Sequence, residues 1–167
     1  KEAEERLKKI FDVTLNQDDK ILSKNEIAQG FYNHDALACT VSDTIDENII
    51  KSGKTGKGKI IANFGVGFNH IDLKACKKYK ILVTNTPDVL TNATADLTIL
   101  LMLMISRRSK EGEYEIENNK WAGWRPTHLL GSELSHKTLG IIGFGRIGQA
   151  VAKRAYFGFN MKIKYYN

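Results

Sequence analysis

KTLGIIGFGRIGQAVAKRAYFGFNMKIKYYN, residues 137–167, decides how the rest of the chain is read. Thr138 to Ile142 is a short apolar run of strand length. About Arg146 to Phe157 carries Ile147, Val151 and Ala155 on one helical face, with Gly158 as the expected stop, and Met161 to Tyr166 reads as a second strand. Between the first strand and the helix lies Gly143-Phe144-Gly145-Arg146-Ile147-Gly148, a G-x-G-x-x-G pattern in the strand–turn–helix–strand setting that gives it meaning. Gly143 permits the tight turn, Gly145 lets a pyrophosphate approach the backbone, and Gly148 lets the helix pack against the strand. The helix start adds unpaired N–H groups and the positive end of a dipole. The six-residue pattern alone would also suit a turn with no ligand. Its flanks point to a dinucleotide.

The composition bounds the alternatives. The 167 residues suffice for one domain or two small ones, and 42% apolar with 26% charged residues is ordinary for a globular protein. The net charge of +6 comes from scattered lysines and arginines, so a solvated surface is expected and no nucleic-acid partner. Cys39 and Cys76 form no C-x-x-C pair, which suggests reduced, buried thiols, no metal site and a cytoplasmic location. The opening run KEAEERLKK is not a signal peptide, and the apolar run Leu97 to Ile105 falls short of the ~20 residues a membrane span needs. The missing initiator Met suggests that residues precede Lys1.

Upstream of the glycine turn, strands and helices alternate, as in a parallel α/β sheet. Lys1 to Phe11 has helical spacing, and Phe11, Val13 and Leu15 alternate like a strand. Ser23 with Glu26 is a capping box for a short helix through about Ala28. Strands are expected at Asp35 to Val41, Lys59 to Phe64 and Ile81 to Asn85, and helices at Asp46 to Lys51 and Asp72 to Lys78. Gly53 to Lys59 imitates a P-loop, but Ile60 stands where Ser or Thr must hold magnesium, and the segment follows a helix instead of a strand. It reads as a solvated basic turn.

Asn63-Phe64-Gly65-Val66-Gly67-Phe68-Asn69 sits at the carboxyl end of an expected strand, where ligands bind in open α/β sheets. Its glycines either leave N–H groups open to an anion or simply meet the loop's backbone angles. Thr91 opens a helix running to Arg107-Arg108, apolar enough to lie buried between two layers. Residues 109–136 then lose periodicity and include Trp121 and Trp124, which favours an arm that meets another protein.

NFGVGFNHIDL (63–73), VTNTPDVLTNATADL (83–97), KWAGWRP (120–126) and KTLGIIGFGRIGQAVAKRA (137–155) together resemble the D-isomer-specific 2-hydroxyacid dehydrogenases, nearest the glyoxylate/hydroxypyruvate reductase branch. The resemblance implies an incomplete flavodoxin-like substrate domain over 1–86, its first strand missing, and an active site in the cleft between two domains. It implies for 87–167 an interdomain helix, a dimerisation arm (109–136) and the first βαβ unit of a Rossmann dinucleotide-binding domain. By the same resemblance the Val66 and Gly67 N–H groups hold the substrate carboxylate, Leu90 and Thr94 lie against the nicotinamide, and Gly143 and Gly145 to Gly148, with Arg146 and Ile147, bind the pyrophosphate. Trp121 and Trp124 make the contact of a homodimer.

The family's catalytic Arg, Glu and His would all fall beyond Asn167, and His34, His70, His128 and His136 do not match the catalytic position. These 167 residues alone are therefore expected to be inactive, part of a longer protein whose sheet needs about six strands. Asn167 stands 19 positions after Gly148, where an acidic residue would bind the ribose 2′-hydroxyl of NAD, so NADP(H) is favoured over NAD(H). The implied activity is hydride transfer to a small 2-oxo acid. The alternatives are another substrate on the same scaffold, such as 3-phosphoglycerate or 2-ketogluconate, or a non-enzymatic, nucleotide-sensing corepressor-like protein.

Overall fold

The computed structural model describes residues 2–167. The chain forms two compact units, one ending at Thr86 and one beginning at Pro87.

The first unit is a parallel sheet in the order β1 (Ala36–Thr40), β2 (Ile60–Phe64), β3 (Leu82–Thr84). Ala38 pairs with Ala62, and Ile60 with Leu82. Parallel neighbours need a crossover between them. α3 (Glu47–Thr55) supplies the first and α4 (Leu73–Tyr79) the second. α1 (Glu2–Lys8) and α2 (Lys24–Asn33) come before the sheet. The capping box that opens α2 is complete: Glu26 N–H donates to Ser23 Oγ at 3.3 Å, and Ser23 N–H to Glu26 Oε2 at 2.8 Å. Ile27 and Phe31, one helical turn apart, then point into the core with Ile45, Ile49, Ile50 and Ile61.

Phe31 explains the glycines of the 53–59 stretch. Its ring occupies the space where side chains at Gly53 and Gly58 would stand, and both glycines are buried while the lysines between them are exposed. Packing, not phosphate, requires glycine there.

The second unit pairs β4 (Thr138–Ile142) with β5 (Lys162–Tyr166) in parallel, Gly140 opposite Lys164, with α7 (Arg146–Phe159) as the crossover. α5 (Thr91–Ser106) lies along α7 through Ala95, Val151, Ala152 and Ala155, small residues that let the two helices approach closely. Arg154 ties them, its Nε 2.6 Å from Asp96 Oδ1 and its other arm 3.3 Å from Asn92 Oδ1.

Several expectations need correction. Residues 11–15 form no strand, because no neighbour pairs with them, and Phe11 is 60% exposed. Lys1, where the first helix is expected to begin, lies outside the described residues. α2 continues past Ala28 to Asn33, since Phe31 is its main anchor. The arm is not irregular throughout: Ser109–Glu117 is a helix, α6, entered through Arg108 in the left-handed conformation. Gly158 does not stop α7, which runs to Phe159 and ends on Asn160 at φ 52°. Within the unit α5 buries only Ala95, and Ile105 is 80% exposed, so this helix is not covered on two sides.

Because Phe31 fills the centre of the first unit, Phe31→Ala should cost about 3–5 kcal/mol in urea denaturation of the intact protein. Glu26, Asp46, Glu47 and Asp35 are all held below the usual carboxylate range, by the Ser23 N–H and by Lys24, Lys78 and Lys59 respectively. A depressed carboxyl contributes stability above its unfolded pKa and loses it as pH falls through the folded one. The melting temperature should therefore drop on acidification below about pH 4. Glu26→Gln should shrink that drop in parallel melts.

Candidate functional site

Both units present backbone donors at the carboxyl end of a parallel strand, by different means. In the second unit β4 ends at Ile142 and Gly143 takes φ 90°, a region that favours glycine. Gly145 then caps α7 in an extended conformation with no side-chain acceptor. The N–H groups of Gly145, Arg146, Ile147 and Gly148 have no partner among the described residues. A Cβ at Gly148 would collide with the Gly143 carbonyl, so only glycine lets the helix start this close to the turn. The turn is braced from β5: Gly143 N–H donates to Tyr166 O at 2.8 Å, Phe144 N–H to Asn167 Oδ1 at 3.0 Å, and the Phe144 ring stacks on Tyr165 at 4.0 Å. Arg146 points back to Asp88, 2.6 Å away, in a solvent-exposed ion pair.

Leu90 and Thr94 stand at the start of α5. The Thr94 N–H donates to Leu90 O at 2.9 Å, and both residues are half-buried. Trp121 and Trp124, on the segment after α6, are 59% and 81% exposed. Nearby His128 lies between Arg125 (2.8 Å) and Glu115 (2.7 Å).

In the first unit the chain leaves β2 through Gly65 to His70. The carbonyls of this loop are taken up almost completely. Gly65 O accepts from Thr86 N–H (3.0 Å) and Asn63 Nδ2 (3.2 Å), Val66 O from Asn85 Nδ2 (2.9 Å), and Gly67 O from Asn63 Nδ2 (2.8 Å). Phe68 O accepts from Ile71 N–H and His70 O from Ile45 N–H. The N–H groups of Val66, Gly67, Phe68 and Asn69 have no partner among the described residues. Space above Gly67 is open, whereas a side chain at Gly65 would meet Val41. A loop with bonded carbonyls and open N–H groups is suited to an anion.

Asn63 is the residue of this site that sequence reasoning misses. It is the buried polar side chain of the core, 2% exposed, beneath this loop. The usable signal is its position: two residues after Ile61 on an apolar strand, it shares that strand's inward face. Cys39 lies beside it, and burial pushes its thiol up to about 11. His34 bonds to Gly30 O and Thr14, and His70 to Asn63. His136 precedes β4, at the opposite end of the strand from Gly143. Among the described residues no three His, Cys, Asp or Glu side chains gather as a metal site, and no helix is long and apolar enough to cross a membrane.

Comparison with known proteins places this architecture. Residues 1–161 match the family model of the D-isomer specific 2-hydroxyacid dehydrogenase catalytic domain. Over 165 residues the chain is 42% identical to a glyoxylate reductase of Thermococcus litoralis, covering 96% of this chain and 49% of that protein. A Thermus thermophilus protein of known structure superposes with a TM-score of 0.89 at 40% identity, over 99% of this chain and 52% of the other. The D-lactate dehydrogenase of Aquifex aeolicus, solved with NAD and lactic acid, gives 0.72 at 32% identity over 87% and 41%. The chain spans about half the length of the curated relatives it matches. A parallel sheet ending in an N–H-lined loop, a βαβ unit built on a glycine turn and this family match agree: the chain belongs to the D-isomer-specific 2-hydroxyacid dehydrogenases.

Proposed function

We propose that the polypeptide carrying this chain reduces a small 2-oxo acid, glyoxylate or hydroxypyruvate, to glycolate or D-glycerate, acting as a homodimer with NADPH as the preferred cofactor. The observation that carries the reading is the Gly65–His70 loop, whose carbonyls are bonded while the Val66 and Gly67 N–H groups stay open. Two such donors suit a carboxylate, whose oxygens take charge-assisted hydrogen bonds. A glyoxylate reductase among the relatives supports the choice of substrate.

The second unit fits a dinucleotide. The N–H groups of Gly145 to Gly148 have no partner among the described residues, and the glycine at position 148 is required by the closeness of Gly143 O. When bound, a nicotinamide cofactor supplies the hydride for such a reduction. In this reading Gly143, Gly145, Ile147 and Gly148 receive the pyrophosphate at the helix start, and Arg146 exchanges Asp88 for a phosphate oxygen. Leu90 and Thr94 border the nicotinamide. The exposed Trp121 and Trp124 meet a second copy of the chain. In this reading His34, His70, His128 and His136, none of which matches the family's catalytic position, do not donate the proton.

Asn167 supports NADPH over NADH. The Phe144 N–H can only donate, so it holds the amide oxygen of Asn167 and turns Nδ2 outward. An outward amide donor suits the acceptor oxygens of a 2′-phosphate, and Asn brings no charge to repel them. An aspartate would accept from ribose hydroxyls and repel the phosphate.

The intact polypeptide should oxidise NADPH when given glyoxylate or hydroxypyruvate, read as the loss of absorbance of the reduced cofactor. No turnover with any small 2-oxo acid would sink the reductase reading. Asn167→Asp should lower the NADPH-to-NADH ratio of kcat/KM by about tenfold or more, the effect of one lost charge-assisted contact. An unchanged ratio would refute the argument from position 167.

A further inference from the structure

We propose that Asn63 and Asn85 are positioning residues for substrate binding: two side-chain amides, one buried and one exposed, that aim the Val66 and Gly67 N–H groups. The inference rests on the reading of this loop as the carboxylate site, and adds what holds the loop in its binding form.

In a trans peptide unit the C=O and the following N–H point in opposite directions. No peptide bond among the described residues is cis. Fixing a carbonyl therefore aims the N–H of the next residue. Gly65 O is drawn inward by Asn63 Nδ2 and Thr86 N–H, which turns the Val66 N–H the other way. Val66 O is drawn to Asn85 Nδ2 at 2.9 Å, which turns out the Gly67 N–H. Asn63 Nδ2 reaches Gly67 O at 2.8 Å as well and so fixes a second peptide unit of the same loop.

Asn63 is itself locked. Both carbonyls it faces only accept, so its Nδ2 points at them and its oxygen points away. That oxygen accepts from His70 Nε2 at 3.0 Å and Cys39 Sγ at 3.9 Å. Both N–H donors and two acceptor sites are used at a position 2% exposed. A buried amide with every valence filled is a rigid support, because any rotation strands a polar group out of water. Asn85 is exposed and contributes its single bond to Val66 O from the end of β3.

The pair separates position from stability. Asn63→Asp keeps the volume but removes both donors. Asn85→Ala, at an exposed site, frees Val66 O without opening the core. In the intact polypeptide, initial rates with glyoxylate and NADPH, and inhibition by oxalate, decide the matter. Both variants should raise the KM for glyoxylate and the Ki for oxalate together, by about tenfold, with kcat changed much less and the KM for NADPH unchanged. Should Asn63→Asp fail to fold, Asn85→Ala alone is decisive. An unchanged KM and Ki in Asn85→Ala, or a fall confined to kcat, would overturn the role while leaving the reductase reading intact. A wild-type protein without turnover would overturn both.

Discussion

Everything here depends on parallel strand pairing. A parallel strand cannot hand the chain to its neighbour by a short hairpin, so each strand ends in a loop that must climb onto a crossover helix. The strand's ladder is finished by then, and the backbone groups of that loop need other partners. After β2 the N–H groups of Val66 to Asn69, and after β4 those of Gly145 to Gly148, find no partner among the described residues. Open α/β sheets bind ligands at these ends for that reason.

The two loops reach the same end by opposite routes. The 143–148 turn relies on a helix: four N–H groups at the start of α7 have no earlier turn to bond, and glycine keeps the approach clear. The Gly65–His70 loop opens no such helix. Its donors are exposed because side chains collect its carbonyls, with Asn63 below and Asn85 at the rim. The first device resides in backbone spacing and the second in two particular amides.

That difference governs what is legible in the sequence. The glycine turn is legible because its requirement is written in consecutive residues, with the strand and helix beside it. The capping box of α2 and the β1, β2 and β4 strands are legible for the same reason. Features that depend on a distant partner are not. The alternation of Phe11, Val13 and Leu15 suggests a strand, but a strand needs a neighbour and none lies there. Gly158 suggests a stop, yet α7 continues, because a single glycine weakens a helix by only about 1 kcal/mol. The apolar α5 suggests two-sided burial, while within its own unit it leaves Leu97, Leu100 and Ile105 exposed. Asn63 escapes for the plainest reason. Its partners at positions 65, 67 and 70 are near in sequence, but two of them are backbone carbonyls, which no residue type announces, and Cys39 comes beside it only after β1 and β2 pair.

Two asparagines show how one side chain serves opposite ends. An amide has a donor face and an acceptor face, and whichever the protein engages leaves the other to act. At Asn63 both faces are engaged within the core, so the residue has nothing to offer a ligand and serves only as a support. At Asn167 the Phe144 N–H takes the oxygen alone, and the donor face is left toward solvent. An aspartate at either position would match the size and fail the task. At 63 it could not hold two carbonyls, and at 167 it would still brace Phe144 but present charge where the amide presents hydrogen. Under the proposed reading, the same isosteric exchange would disturb the acid at one site and the cofactor's phosphate at the other.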